Sequence, residues 1–124
     1  MSRSIFVTLL ALLLAACSEL PSSVTNEDLS IRAHGGTLEL TNRATEPLYF
    51  RVVVRPVDPL LDWWPCSSPE GCNGVAPGQR QEIPYSEIAE FRPEASEALL
   101  TWWFLEPVGD GYRMVRMHSQ ILKL

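Results

Sequence analysis

The chain has 124 residues, with ten basic and fifteen acidic side chains and a formal charge of −5. This length suits one domain with one hydrophobic core. Because the chain is acidic and its arginines are scattered, it offers no basic patch that could follow a phosphate backbone, and we expect no nucleic-acid partner.

The first residues combine one basic side chain, an apolar run and small residues that end on a cysteine. After Arg3, the mainly apolar stretch 5–16 covers 12 residues, which fits the roughly 7–15 of a signal peptide and falls short of the roughly 18 needed to span a bilayer. The tetrapeptide Leu14-Ala15-Ala16-Cys17 resembles the lipobox of bacterial lipoproteins.

This resemblance implies that residues 1–16 are a signal peptide that is removed, and that Cys17 is then lipidated. The lipid would attach the protein to a membrane. Ser18, rather than aspartate, follows the cysteine, which in Gram-negative lipoproteins implies the outer membrane, facing the periplasm. Loss of Arg3 leaves nine basic and fifteen acidic residues, a charge near −6.

The segment 17–28 is polar and is predicted to be a flexible tether, so that the folded domain covers residues 29–124. In this domain, apolar and polar side chains alternate over 29–34, 37–41 and 48–54, with Gly35-Gly36 as a hairpin turn. This alternation is typical of half-buried strands. A further strand is expected within 75–85, and one helical turn within 86–91.

The last part of the chain predicts an antiparallel pair of strands. Residues 98–105 form an apolar run, Gly109-Asp110-Gly111 predicts a turn, and 112–118 return. The pattern of 121–124 could extend the returning strand. Together, the predicted elements indicate an all-β, antiparallel sandwich of about 6–7 strands, which at the level of strand count and spacing resembles immunoglobulin-like and fibronectin type III domains.

Between strands, residues 57–74 form a long irregular loop that contains Cys66 and Cys72. With Cys17 lipidated, these two cysteines remain, and a disulfide between them is the preferred interpretation in an oxidising compartment. A metal site is the weaker alternative, because the two histidines, His34 and His118, are isolated. We expect no metal and no cofactor.

Four tryptophans offer a candidate binding surface, for which we single out Trp63, Trp64 and Trp103. Trp102 and Trp103 are adjacent in a strand, so their side chains must leave on opposite faces. Either the 57–74 loop covers the outer face with Leu60, Leu61, Trp63 or Trp64, or an exposed aromatic patch binds a partner. We favour the cover.

The sequence contains no nucleophile elbow, phosphate-binding glycine loop or zinc-protease motif, and we expect no enzymatic activity. The favoured function is a lipid-anchored envelope lipoprotein whose non-catalytic sandwich binds or scaffolds an envelope protein. The alternative is a ligand-binding module, such as a glycan binder or an inhibitor of a secreted hydrolase, that acts through the 57–74 loop and its tryptophans.

The anchor hypothesis predicts that Cys17→Ser abolishes palmitate labelling and releases the protein from membranes, because the thiol is the acceptor of the lipid. Metabolic labelling and membrane fractionation measure both effects. The matched control is Ser18→Ala, which leaves the thiol in place. Membrane retention of the Cys17→Ser variant would contradict the hypothesis.

Overall fold

The structure is a computed structural model that describes residues 20–57 and 66–124. Within these ranges the chain forms two four-stranded antiparallel sheets. The strands are β1 (Ser23–Thr25), β2 (Leu29–His34), β3 (Thr37–Asn42), β4 (Leu48–Val54), β5 (Gly74–Val75), β6 (Arg80–Pro84), β7 (Glu97–Val108) and β8 (Gly111–Lys123). Two short 3-10 turns lie at Pro69–Gly71 and Tyr85–Glu87.

The predicted all-β, antiparallel sandwich is confirmed. There are eight strands in the described part of the chain, more than the 6–7 expected. The difference comes from β1 and β5, which have three and two residues and are too short to leave a periodic signal.

The first sheet has the order β1-β2-β3-β6. Strands β2 and β3 form a hairpin whose turn residues, Gly35 and Gly36, have φ values of 57° and 78°. Glycine adopts this left-handed conformation without the steric cost that a Cβ brings. Strand β6 then pairs with β3, so that Ile83 lies beside Leu38.

The second sheet has the order β5-β4-β7-β8. Strand β7 is central, and it pairs with β4 only from Ala98 to Trp103, whereas its pairing with β8 extends to Val108. Strand β8 continues to Lys123, as the apolar pattern of 121–124 indicated.

The core lies between the sheets and follows the period-two pattern. Alternate residues of β2 and β3 point inward and meet the inward residues of β4 and β7. The fully buried members on these four strands include Leu29, Ile31, Leu38, Leu40, Leu48, Val54, Ala98, Leu100 and Phe104. Full burial of a side chain of leucine size contributes about 1.5–3 kcal/mol, so these layers hold the two sheets together.

One buried polar side chain joins the sheets at their edge. Asn42, 1% exposed at the end of β3, donates through Nδ2 to the carbonyl oxygens of Glu46 and Val75 at 2.8 and 2.9 Å. Its Oδ1 accepts from the N–H of Ala44 at 2.8 Å. The amide thus satisfies backbone groups of the β3–β4 loop and of β5, which belongs to the other sheet.

The segment predicted to be a tether is partly folded. Strand β1, at Ser23–Thr25, pairs with β2 over Ser30–Arg32, although only Val24 in it is apolar and its other two side chains are exposed. Backbone pairing does not require an apolar side chain, which is why the pattern of residue types did not predict this strand. The ordered sandwich therefore begins before residue 29.

The turns and loops between strands lie at two opposite ends of the sandwich. At the N-terminal end, the carbonyl oxygens of Pro21 and Ser22 accept hydrogen bonds from the N–H groups of Lys123 and Ala33. The opposite end carries the β1–β2 turn, the β3–β4 loop and the β7–β8 hairpin. Among the described residues, no helix has the length and apolar character needed to cross a membrane.

We expect Asn42→Ala to lower the free energy of unfolding by about 3 kcal/mol, because it leaves buried backbone groups without partners. Urea denaturation measures the loss. The matched control is Asn73→Ala at an exposed asparagine, where we expect a change within about 0.5 kcal/mol. Equal effects of the two substitutions would contradict this role for Asn42.

Candidate functional site

The most distinctive surface is a hairpin that continues past the sandwich. Beyond Trp103, β7 loses its pairing with β4 and pairs with β8 alone, from Phe104↔Val115 to Val108↔Gly111. Phe104 is still fully buried, so the projecting part is residues 105–114, which we call the arm. Its four residue pairs extend about 14 Å at roughly 3.4 Å per residue.

A β-bulge lies at the root of the arm. Trp102 pairs with His118 and Phe104 with Val115, so one residue of β7, Trp103, faces two residues of β8. Arg116 takes up the extra residue with a φ of 53°. A bulge of this kind shifts which side chains share a face, and here it places Met117 on the same face as Met114.

Arg116 also fixes the root of the arm to the sandwich. Its guanidinium lies 3.9 Å from the centroid of the Phe104 ring, a cation–π contact. The same guanidinium forms an ion pair with Glu46 of the β3–β4 loop. The bulge therefore joins β8 to an adjacent loop at the point where the arm leaves the core.

The outer face of the arm and its root is apolar and exposed. Tyr112, Met114 and Met117 have exposed fractions of 46%, 36% and 45%. The register places all three on the face opposite the core, and we call them the arm patch. Tyr112 and Met114 pair with Pro107 and Leu105, so apolar side chains continue onto β7. Contiguous apolar surface of this kind often marks an interaction site.

The tryptophan pair is divided between the two faces of β7, as the alternation predicted. Trp102 faces the core and is 4% exposed, whereas Trp103 faces outward. Trp103 is nevertheless only 1% exposed, and its indole N–H donates to the carbonyl oxygen of Cys66 at 3.1 Å. Trp103, part of the predicted binding surface, is therefore packed under the chain at Cys66 and is not presented to solvent.

The predicted disulfide is present. Cys66 and Cys72 are joined, with their Cα atoms 5.7 Å apart, and the ring they close holds Cys66 over Trp103. The other two tryptophans of the predicted surface, Trp63 and Trp64, lie outside the described residues, as do Leu60, Leu61 and the predicted lipidation site, Cys17.

Two small cavities flank the tryptophans. A cleft of about 270 Å³ adjoins the disulfide and is lined by Phe50, Arg51, Cys66, Gly71, Asn73, Ala89 and Trp103. A cavity of about 200 Å³ lies between β8 and the β1–β2 turn, lined by Asn26, Glu27, Asp28, Trp102 and His118. Trp102 Nε1 is buried without a hydrogen-bond partner, whereas Asn26 Oδ1 accepts from two N–H groups of its own turn.

The two histidines lie in different sheets. His34 Nε2 lies 3.1 Å from Glu39 Oε1, and this hydrogen bond holds the pKa of the Glu39 carboxyl below its ordinary value. The His118 ring lies against Trp102, with ring centroids 5.7 Å apart. Within the described ranges, no group of three or more histidine, cysteine, aspartate or glutamate side chains could hold a metal ion.

Comparison of the chain with protein-family models, with curated proteins and with solved structures finds no match. The assignment of a site therefore depends on the residues and their geometry.

The arm was not predicted as a site, although its strands were. The strand within 98–105, the glycine turn and the returning strand all indicated a hairpin. The pattern could not show that β4 stops pairing at Trp103, because that depends on where the neighbouring strand ends. Two features bear on the arm as a site. The hairpin strands are longer than β4, and Tyr112 and Met114 alternate with Arg113 and Val115.

We expect the double substitution Cys66→Ser with Cys72→Ser to lower the free energy of unfolding by about 2 kcal/mol, as expected for so small a ring. Removing the disulfide should also speed exchange of the Trp103 indole N–H with solvent, which NMR detects. The Trp102 indole, on the opposite face, is the internal control. Unchanged exchange at Trp103 would show that the disulfide does not hold its cover.

Proposed function

We propose that this protein is a lipid-anchored lipoprotein of the cell envelope, whose non-catalytic β-sandwich serves as a protein-interaction module. The observation that carries the proposal is the arm with its root, because they present Tyr112, Met114 and Met117 to solvent on the face opposite the core. Exposed aromatic and methionine side chains are enriched at protein interfaces.

The position of the arm suits a protein anchored at Cys17. Only four residues separate Cys17 from Ser22, which already bonds to β2. Fully extended, this segment spans at most about 18 Å. The N-terminal end of the sandwich would then lie near the membrane, and the arm, at the opposite end, would project away from it.

A non-catalytic role is consistent with the placement of the polar side chains. His34 is engaged by Glu39, and His118 lies beside Trp102. Glu106 and Arg113 of the arm form an ion pair, as do Arg116 of its root and Glu46. None of these arrangements combines a nucleophile with a base that could activate it.

A second candidate function is ligand binding at the disulfide loop. The cleft of about 270 Å³ beside Cys66 and Trp103 favours it. The volume suits a small ligand, or one side chain of a partner.

Site-specific photo-crosslinking in cells tests both functions at once. A photoreactive amino acid replaces Met114 on the arm, Ser67 on the disulfide loop, or Gln81 on β6, and the protein is otherwise the full lipidated chain. If the arm is the interaction surface, we expect a discrete adduct of defined mass from position 114 and none from position 81.

An adduct from position 67 alone would favour the disulfide loop. No adduct from position 114, with the protein present and membrane-bound, would contradict the proposed function of the arm. Substitution of Met117 by the same photoreactive residue provides a second test of the arm patch, because the bulge places it on the same face.

A further inference from the structure

We propose that the open edge of β8 at the arm and its root, residues 111–117, is a strand-addition site for an extended, uncharged and largely apolar segment of another protein. This inference deepens the proposed function and rests on it. In strand addition, backbone hydrogen bonds supply affinity and alternate side chains supply specificity.

The other three sheet edges in the described part of the chain are short or blunted. Strands β1 and β5 have three and two residues. Strand β6 has five residues, carries the charged side chains of Arg80 and Glu82, and ends at Pro84, which lacks an N–H. Short strands, charges and prolines are the usual protection of an edge against unwanted pairing.

Strand β8 is longer and contains no proline, and the one charged side chain that it contributes to the arm, Arg113, is paired with Glu106. It has 13 residues and is the last strand of its sheet. Near its C-terminal end, the Lys123 N–H donates to Pro21, so the chain itself occupies that part of the edge. Among the described residues, no strand pairs with the other side of β8 from Gly111 to Met117.

The charges of the arm indicate the chemistry of the partner. Residues 105–117 contain two acidic and two basic side chains, a net charge of zero, in a chain whose total charge is −5. Glu106 pairs with Arg113 at 3.0 Å, and Arg116 pairs with Glu46. Because both arginines are already paired, the side chains of the arm patch make the main contacts with an added strand. Since these side chains are apolar, they favour an uncharged, largely apolar partner strand.

Geometry also argues against two other occupants of this edge, a second copy of the protein and a lipid surface. Antiparallel pairing of two arms would invert one copy relative to the other and place their N-terminal ends on opposite sides. Two copies anchored in the same membrane with their arms projecting from it could not pair in this way. A lipid surface is equally poorly placed, since the arm is at the end opposite Pro21 and Ser22.

The bulge would set the limit of the added strand. Its Arg116 has a φ of 53°, which breaks the regular spacing of the edge N–H and C=O groups. A partner strand would therefore pair with residues 111–115, and its apolar side chains would lie beside Tyr112 and Met114. Met117, beyond the bulge, would extend the apolar contact.

A phage-displayed library of 12-residue peptides, selected against the full lipidated protein in detergent, tests the inference. We expect the enriched peptides to alternate apolar residues, with few charges and no central proline. Residue-resolved hydrogen exchange with one synthetic selected peptide should show new protection at every second amide from 111 to 115. Contact through side chains alone would not produce this alternation.

Two variants provide the controls. Met114→Asp should weaken binding of the selected peptide about tenfold or more, because it places a charge in the apolar contact. Gln81→Asp, on the exposed edge strand β6, should leave binding unchanged. Both variants are checked for unchanged unfolding, so that a loss of binding is not a loss of fold.

Three outcomes would overturn the strand-addition site: no enriched peptide, enriched peptides that protect amides elsewhere, or a concentration-dependent dimer that protects the arm without peptide. Binding of the protein to vesicles of phosphatidylethanolamine and phosphatidylglycerol through Met114 would likewise overturn it. These failures differ from failure of the proposed function, because in-cell crosslinking from position 114 can succeed while the edge amides stay unprotected.

Discussion

The structure depends on strand β7, which must be buried on both faces. Trp102 and Trp103 are consecutive in an extended strand, so one large indole faces the core and the other faces out. An exposed tryptophan would leave a large apolar area in water, at a cost that scales with about 25 cal/mol per Å². The chain places Cys66 above Trp103, and the disulfide to Cys72 fixes that placement.

The same strand then leaves the core and becomes the arm. From Ala98 to Trp103 it has a neighbour on each side, whereas from Leu105 onward β8 is its only partner. The cation–π contact of Arg116 with Phe104 and its ion pair with Glu46 mark the boundary. One strand thus joins the buried core of the protein to its exposed apolar arm.

Much of the fold follows from side-chain periodicity. The alternation over 29–34, 37–41 and 48–54 predicted three strands and their inward faces, and the cysteine count predicted the disulfide. Strand β1 escaped prediction because Ser23–Thr25 are joined to β2 through backbone groups, which every residue type carries. The role of Asn42 was not predicted, because its three hydrogen-bond partners are brought together only by folding.

For the candidate site, the sequence predicted the hairpin and drew attention to the tryptophans. The open edge of β8 depends on where β4 ends, a property of the assembled sheet.

Residue-resolved amide hydrogen exchange along β7, in the full lipidated protein in detergent, tests the central claim most directly. If the strand is half core and half arm, the hydrogen-bonded amides from 98 to 103 should exchange about a hundredfold or more slowly than those from 105 to 108. The Trp103 indole N–H should share the protection of the core half. Uniform exchange along the whole strand, or a rapidly exchanging Trp103 indole, would contradict the account.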